Sequence, residues 1–101
     1  MNKDPYNGYT NYETWNIKLW IDNDQGSQEY WADFTAECLA ESDDESDAVD
    51  MVRDALQQQH EDALPELTGF AADLLNAAMS EVNWREIAQD LVNEAKEEAN
   101  A

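Results

Sequence analysis

The sequence predicts an all-α fold, a compact single-domain bundle of four or five short helices. Three observations carry that expectation. Apolar residues recur at three- and four-residue spacing in five separate segments, the period of a helix with one face in a core. No segment alternates apolar and polar residues with period two, as a half-buried strand does. Capping residues or a proline stand at the head of each segment. The chain has 101 residues, close to common domain size, and 43% of them are apolar, enough for one core. Residues 1–9 read as an extended N-terminal arm and residues 10–101 as a single helical domain.

The arm is rich in Asn, Asp, Pro, Gly and Tyr, and its tyrosines have an apolar domain surface to pack on. Thr10 and Glu13 then sit at capping-box spacing, with Asn11 an alternative cap. A first helix is expected over 11–23. Tyr12, Trp15 and Leu19 share one stripe, and Ile17, Trp20 and Ile21 a neighbouring one, so this helix is expected to be the most buried element. Asp22 to Gly26 breaks the pattern, with Gly26 suited to a left-handed turn. Ser27 caps a second helix over 28–41, with Tyr30, Phe34 and Cys38 on its apolar face and Trp31 and Leu39 beside them.

Ser42 to Glu45 is polar, and Ser46 or Asp44 caps a third helix running to Glu61. Its core face is Val49, Val52 and Leu56, with Ala48 and Ala55 adjoining. Pro65 marks a boundary, because proline inside a helix loses a hydrogen bond and clashes with the preceding turn. A fourth helix over 65–81 presents Leu67, Phe70, Ala71, Leu74, Leu75 and Ala78, weakened early by Gly69. Asn83 and Glu86 repeat the capping-box spacing before a fifth helix over 84–98, with Trp84, Ile87, Ala88, Leu91 and Ala95 on one face.

The charge balance narrows function. There are 24 Asp and Glu against 5 Lys and Arg, a formal charge of -19. Such a chain repels nucleic acid and anionic membranes and attracts basic partners. On the second helix Glu29, Asp33, Glu37 and Glu41 stand four apart. Four helical residues rise about 6 Å, close to the separation of successive phosphates along an extended strand. Asp47, Asp50 and Asp54 make a row on the third helix, and Glu86, Asp90 and Glu94 on the fifth. An ordinary helix interleaves Lys or Arg at these offsets, where each opposite pair gains about 0.2–0.5 kcal/mol and each like pair loses as much. Two readings stay open: a solvated acidic face, or rows that imitate a phosphate backbone. Repulsion among these carboxylates predicts stability that rises with salt and as pH falls.

Catalytic constellations are missing from the sequence. One His and one Cys do not make a structural zinc site, and no Gly-rich phosphate loop or Ser/His/Asp order is present. No enzyme activity and no cofactor are expected. His60, in a Gln-rich stretch, reads as a surface residue, and Cys38, on an apolar face, as a core residue. Asp22, Asp24 and Asp33 match positions 1, 3 and 12 of a calcium loop, but Gly26 and Ser27 depart from it at positions 5 and 6. Trp15, Trp31 and Trp84 read as packing residues; Tyr6, Tyr9 and Tyr12 either pack or form a contact patch. No apolar run approaches a membrane span and no signal peptide opens the chain, so a cytoplasmic protein is expected.

The segment from Tyr6 through Tyr9, Asn11, Tyr12 and Trp15 to Asn16, with Leu19 to Asn23, resembles the N-terminal signature of a family of small phage and mobile-element proteins. Asn83 to Ala88, with Glu94 and Ala95 beyond, resembles that family's C-terminal end. The resemblance implies a phage setting and carries no activity with it. Small, very acidic phage proteins include DNA mimics that block restriction enzymes, CRISPR effectors or uracil-DNA glycosylase, an analogy of class and not of descent. The expected function is therefore stoichiometric inhibition. An acidic face occupies the DNA-binding groove of a basic host protein, without direct nucleic-acid or membrane binding. The rivals are an interaction module that uses the aromatic N-terminal arm, and a weak calcium-binding protein.

Overall fold

The structure is a computed structural model that describes residue 6 and residues 8–100. The arm expected over 1–9 therefore lies in part outside the described residues, at Met1 to Pro5 and Asn7. Five helices follow in order: α1 (Tyr12–Asn23), α2 (Gln25–Glu41), α3 (Glu45–Asp62), α4 (Gly69–Ser80) and α5 (Trp84–Ala99). No strand occurs among the described residues, and they form one small all-α domain.

Side-chain caps set the heads of α1, α3 and α5. Asn11, not Thr10, caps α1: its side-chain oxygen accepts from the Thr14 N–H at 2.9 Å and the Thr14 hydroxyl at 2.7 Å. Asp44 rather than Ser46 caps α3, accepting from the Asp47 N–H at 2.9 Å. Asn83 caps α5 as expected, accepting from the Glu86 N–H at 3.1 Å.

Two boundaries depart from the sequence expectation. The turn placed at Asp22 to Gly26 shrinks to the single residue Asp24, whose extended backbone (φ -107, ψ 113) separates α1 from α2. The Gln28 N–H donates to the Asp24 carbonyl at 2.8 Å, so helical bonding starts at once and Gly26 lies inside the first turn. The fourth helix starts at Gly69 and not at Pro65. Gly69 has φ +67, a left-handed conformation that glycine alone adopts without penalty, and this residue sets the helix off from the chain before it.

The core is built on α3 and α5, which pack together most extensively; α2 lies against both, and α1 rests on α2 and α5. Val49, Val52 and Leu56 of α3 meet Ile87, Ala88, Leu91 and Val92 of α5, with Trp31 and Cys38 from α2. The apolar faces expected for α3 and α5 are thus the buried ones, with Val92 added.

The expectation for α1 is reversed. Only Thr14, Lys18 and Ile21 are buried there, while Trp20 is 69% exposed and Tyr12 51%. Apolar residues surround much of α1, but the two neighbouring helices cover a single stripe. Tyr30 on α2 is likewise exposed, and Thr35 takes a core position instead, its hydroxyl donating to the Trp31 carbonyl at 2.6 Å.

Helix α4 contains no buried residue. Phe70 is 80% exposed and Leu74 66%, and Leu67, ahead of the helix, is 42% exposed, while Ala71, Leu75 and Ala78 are half-buried, so only part of the face expected in the core faces inward. The radius of gyration, 14.5 Å, exceeds the roughly 13 Å of a compact 100-residue domain, as a splayed helix requires. None of the helices is long and apolar enough to cross a membrane.

Candidate protein-interaction surface

The three acidic rows have different fates, and ion pairs decide them. On α3, Asp50 binds the guanidinium of Arg85 and, at 3.3 Å, that of Arg53, while Asp54 pairs with Arg53 at 3.0 Å. Only Asp47 in that row keeps its carboxylate without a partner among the described residues. On α5, Glu86 accepts from the Thr10 N–H at 3.0 Å, Asp90 accepts from the Tyr9 hydroxyl, and Glu94 pairs with Lys18 at 2.9 Å. The α5 row is therefore an internal clamp.

The α2 row stands apart. Glu29 receives only the amide of Gln25, at 3.0 Å, and Asp33, Glu37 and Glu41 have no side-chain partner among the described residues. All four are exposed. Over twelve helical residues the row extends about 18 Å.

Basic residues are consumed in the same account. Lys18, Arg53, Arg85 and Lys96 all sit in ion pairs, the last with Glu45. The Lys96 and Gln89 side chains hold the Glu45 carboxyl below its ordinary range, and the Arg85 guanidinium does the same for Asp50. A lowered folded-state pKa contributes stability that is present above the unfolded value and lost as pH falls. At these two residues the sign is opposite to the one that repulsion alone predicts.

Lys18 is the residue that composition and periodicity missed. Its ammonium is buried, yet it donates to both oxygens of Asp22, at 2.9 and 3.0 Å, and to Glu94 at 2.9 Å. Burial lowers its pKa, and the two carboxylates outweigh that, leaving it raised. The available signal was one Lys in the middle of an apolar arc, four residues before an Asp.

Beside this node, α1, α2 and α5 enclose a cleft of about 650 Å³. Ile21, Leu91 and the small side chains of Ala32, Ala36 and Ala95 line its apolar part. Glu29 and Asp33 stand on the α2 side, Glu94 and Glu98 on the α5 side.

The remaining candidates resolve into structure. His60 is half-buried: its ring lies 6.2 Å from Trp31 and 5.4 Å from Trp84, and its Nδ1 bonds the Leu56 carbonyl at 2.8 Å. Cys38 is buried, and burial followed by the charges of Glu41 and Glu37 raises its thiol pKa, which disfavours the nucleophilic thiolate. Asp22, Asp24 and Asp33 do not share a loop, because α2 is helical from Gln25 onward and Asp22 is turned to Lys18. Among the described residues no group of three or more His, Cys, Asp or Glu is arranged to hold a metal ion.

The aromatic arm packs against the domain. Tyr6 meets Tyr12 edge-on at 6.4 Å and Tyr12 meets Trp15 at 5.5 Å, while burial and the Asp90 carboxylate push the Tyr9 phenol above its usual range. Caps join the two ends of the chain here. Asn11 Nδ2 donates to the Glu81 carbonyl at 2.7 Å, and the Asn83 N–H donates to Thr14 Oγ1 at 2.8 Å. The two segments that carry the family resemblance thus hold each other's helix heads. Thr14 is fully buried and links both caps. Replacing it with Val keeps the shape and leaves the Asn83 N–H without its acceptor. We expect a loss of about 1–2 kcal/mol, measured as a shift in the urea midpoint; an unchanged midpoint refutes the linking role.

No curated protein and no solved structure matches the chain. One family does, over residues 2–101, nearly the whole length. The chain belongs to DUF7249, a family of unknown function.

Proposed function

We propose that this chain is an acidic, non-enzymatic inhibitor of phage or mobile-element origin that acts in the host cytoplasm as a DNA mimic. Its α2 row occupies the nucleic-acid-binding groove of a basic host protein, such as a restriction enzyme or a CRISPR effector. The observation that carries this reading is the selective pairing of charge. Internal partners take up most of the α3 row and the whole α5 row, whereas Asp33, Glu37 and Glu41 stay exposed and unpaired at regular spacing. A guanidinium that normally holds a phosphate matches a carboxylate bidentately. The partner-facing set is therefore Glu29, Asp33, Glu37 and Glu41, joined by Asp47; Asp50, Asp54, Glu86, Asp90 and Glu94 serve the fold.

The test is capture from host lysate on the immobilised chain, with elution by salt and competition by duplex DNA. A DNA-binding protein displaced by both is the expected result. A variant carrying Glu29→Gln, Asp33→Asn, Glu37→Gln and Glu41→Gln should capture at least about tenfold less of it. The same variant should melt no lower than the parent, because like-charge repulsion falls. Undiminished capture by the variant sinks the mimic reading.

A second reading has an observation of its own. Phe70 and Leu74 of α4, with Leu67 in the chain just before it, are exposed apolar residues, and aromatic and aliphatic anchors of that kind sit at the centres of protein interfaces. An interaction module would use this face rather than the arm, whose Tyr9 hydroxyl is held by Asp90. Loss of capture by Leu74→Asp, with the α2 variant unaffected, is the outcome that selects it.

A further inference from the structure

We infer that the cleft between α1, α2 and α5 is a docking groove for a cationic amphipathic helix of a partner protein. The inference shares with the proposed function the idea of a basic protein partner, but it does not require that partner to bind DNA. Shape comes first. The cleft holds about 650 Å³, and its walls carry alanines, Ala32 and Ala36 on α2 and Ala95 on α5. Small side chains let a third helix axis approach to the 8–10 Å or so of ordinary helix packing. Ile21 and Leu91 close the bottom of the trough with apolar surface that is itself anchored in the core.

Charge then selects the occupant. Glu29 and Asp33 are four residues apart on one wall, and Glu94 and Glu98 four apart on the other. An entering helix with an apolar stripe at i, i+3, i+4 and i+7 places that stripe on the alanines. Its flanking Lys and Arg then fall between Glu29 and Asp33 on one side and Glu98 on the other, Glu94 being held by Lys18. Lys18 ties Asp22 and Glu94 together at the cleft, so the geometry of that edge is fixed before a partner arrives.

Competing occupants lack this match. A nucleic acid brings phosphates to five carboxylates, those of Asp22, Glu29, Asp33, Glu94 and Glu98. The described residues of a second copy offer no basic helix, since Lys18, Arg53, Arg85 and Lys96 are already paired with acids.

The experiment uses the full chain and two synthetic peptides of about 18 residues, five helical turns. One is a Leu/Lys/Arg amphipathic helix and the other a scramble of the same composition without a continuous apolar stripe. Fluorescence anisotropy should show the amphipathic peptide binding at least about tenfold tighter than the scramble. Ala36→Trp fills the trough without changing charge and should cost about tenfold or more. Ala32→Trp, also at an exposed position, serves if the first variant fails to fold.

The double variant Glu37→Gln, Glu41→Gln lies on the α2 row but outside the cleft and should leave peptide affinity within about threefold. Because the mimic reading needs Glu37 and Glu41 and the groove does not, the two can fail separately. Equal binding of the scramble means general charge attraction and overturns the groove. So does unchanged binding to both Trp variants, or a loss produced by Leu74→Asp alone, which would place the peptide on α4.

Discussion

Trp84→Ala is expected to remove about 3–5 kcal/mol of stability, the range for truncating a buried large aromatic. Domains of this kind hold about 5–15 kcal/mol in total, so the variant stands near the edge of folding. The size of the effect follows from position. Trp84 is 7% exposed, opens α5, and stacks at a tilt on His60, which in turn stacks on Trp31. Its ring also lines a cleft together with Gln57, Leu64, Met79 and Val82. Trp20→Ala is the control of identical chemistry. Trp20 is 69% exposed, and its removal should change stability by less than about 0.5 kcal/mol. Thermal melts should separate the two variants by on the order of 20 °C. Coincident melts would show that Trp84 is not part of the core.

The contrast between Trp20 and Trp84 also marks how far the sequence is legible. Periodicity placed five helices and found the buried faces of α3 and α5, because these two helices pack chiefly on each other and their apolar stripes are narrow. It failed on α1, where a wide apolar arc does not say which part a neighbour covers. Thr14 and Lys18 took the buried stripe there, while Tyr12 and Trp20 stayed outside. It failed again on α4: Leu67, Phe70 and Leu74 repeat as core residues do, yet the helix starts only at Gly69 and these three side chains stay exposed. No local pattern encodes that placement. Spacing alone also could not tell the free acidic row from the clamped ones. All three rows repeat at three or four residues, and what separates them is whether Lys18, Arg53, Arg85, Tyr9 or Thr10 arrives from elsewhere in the chain.

The cap exchange between Asn11, Thr14, Asn83 and Glu86 bears on what a family signature means here. Four hydrogen bonds tie residues 10, 11, 14 and 83 to partners about seventy positions away or within the cap itself, and each relieves a backbone or side-chain group at a helix head. These bonds make the two ends of the chain one folding unit.

Lys18→Ala is the second large effect, at about 2–4 kcal/mol. Its side chain is 4% exposed, so its aliphatic stem fills space that Ala leaves empty, and its ammonium is the one cation between Asp22 and Glu94. Those carboxylates are 42% and 57% exposed, and water softens their loss, which keeps the value below that of a wholly buried pair. Lys18→Met separates the two contributions, since it keeps the stem and removes the charge. The charge contribution has a defined pH window. The folded-state pKa of Lys18 is raised, so its contribution is complete below the unfolded value of about 10.4 and is lost as pH rises through the folded value. The raised Tyr9 phenol acts with the same sign, because its charged form is the disfavoured one in the fold. Urea midpoints of the parent should therefore fall steeply on the alkaline side, and those of Lys18→Met should fall less. Adding salt should stabilise Lys18→Met more than the parent, because the uncompensated Asp22 and Glu94 repel each other. If Lys18→Met instead matches the parent in midpoint, alkaline slope and salt response, the buried ammonium contributes nothing. Packing of the stem alone would then hold α1 to α5.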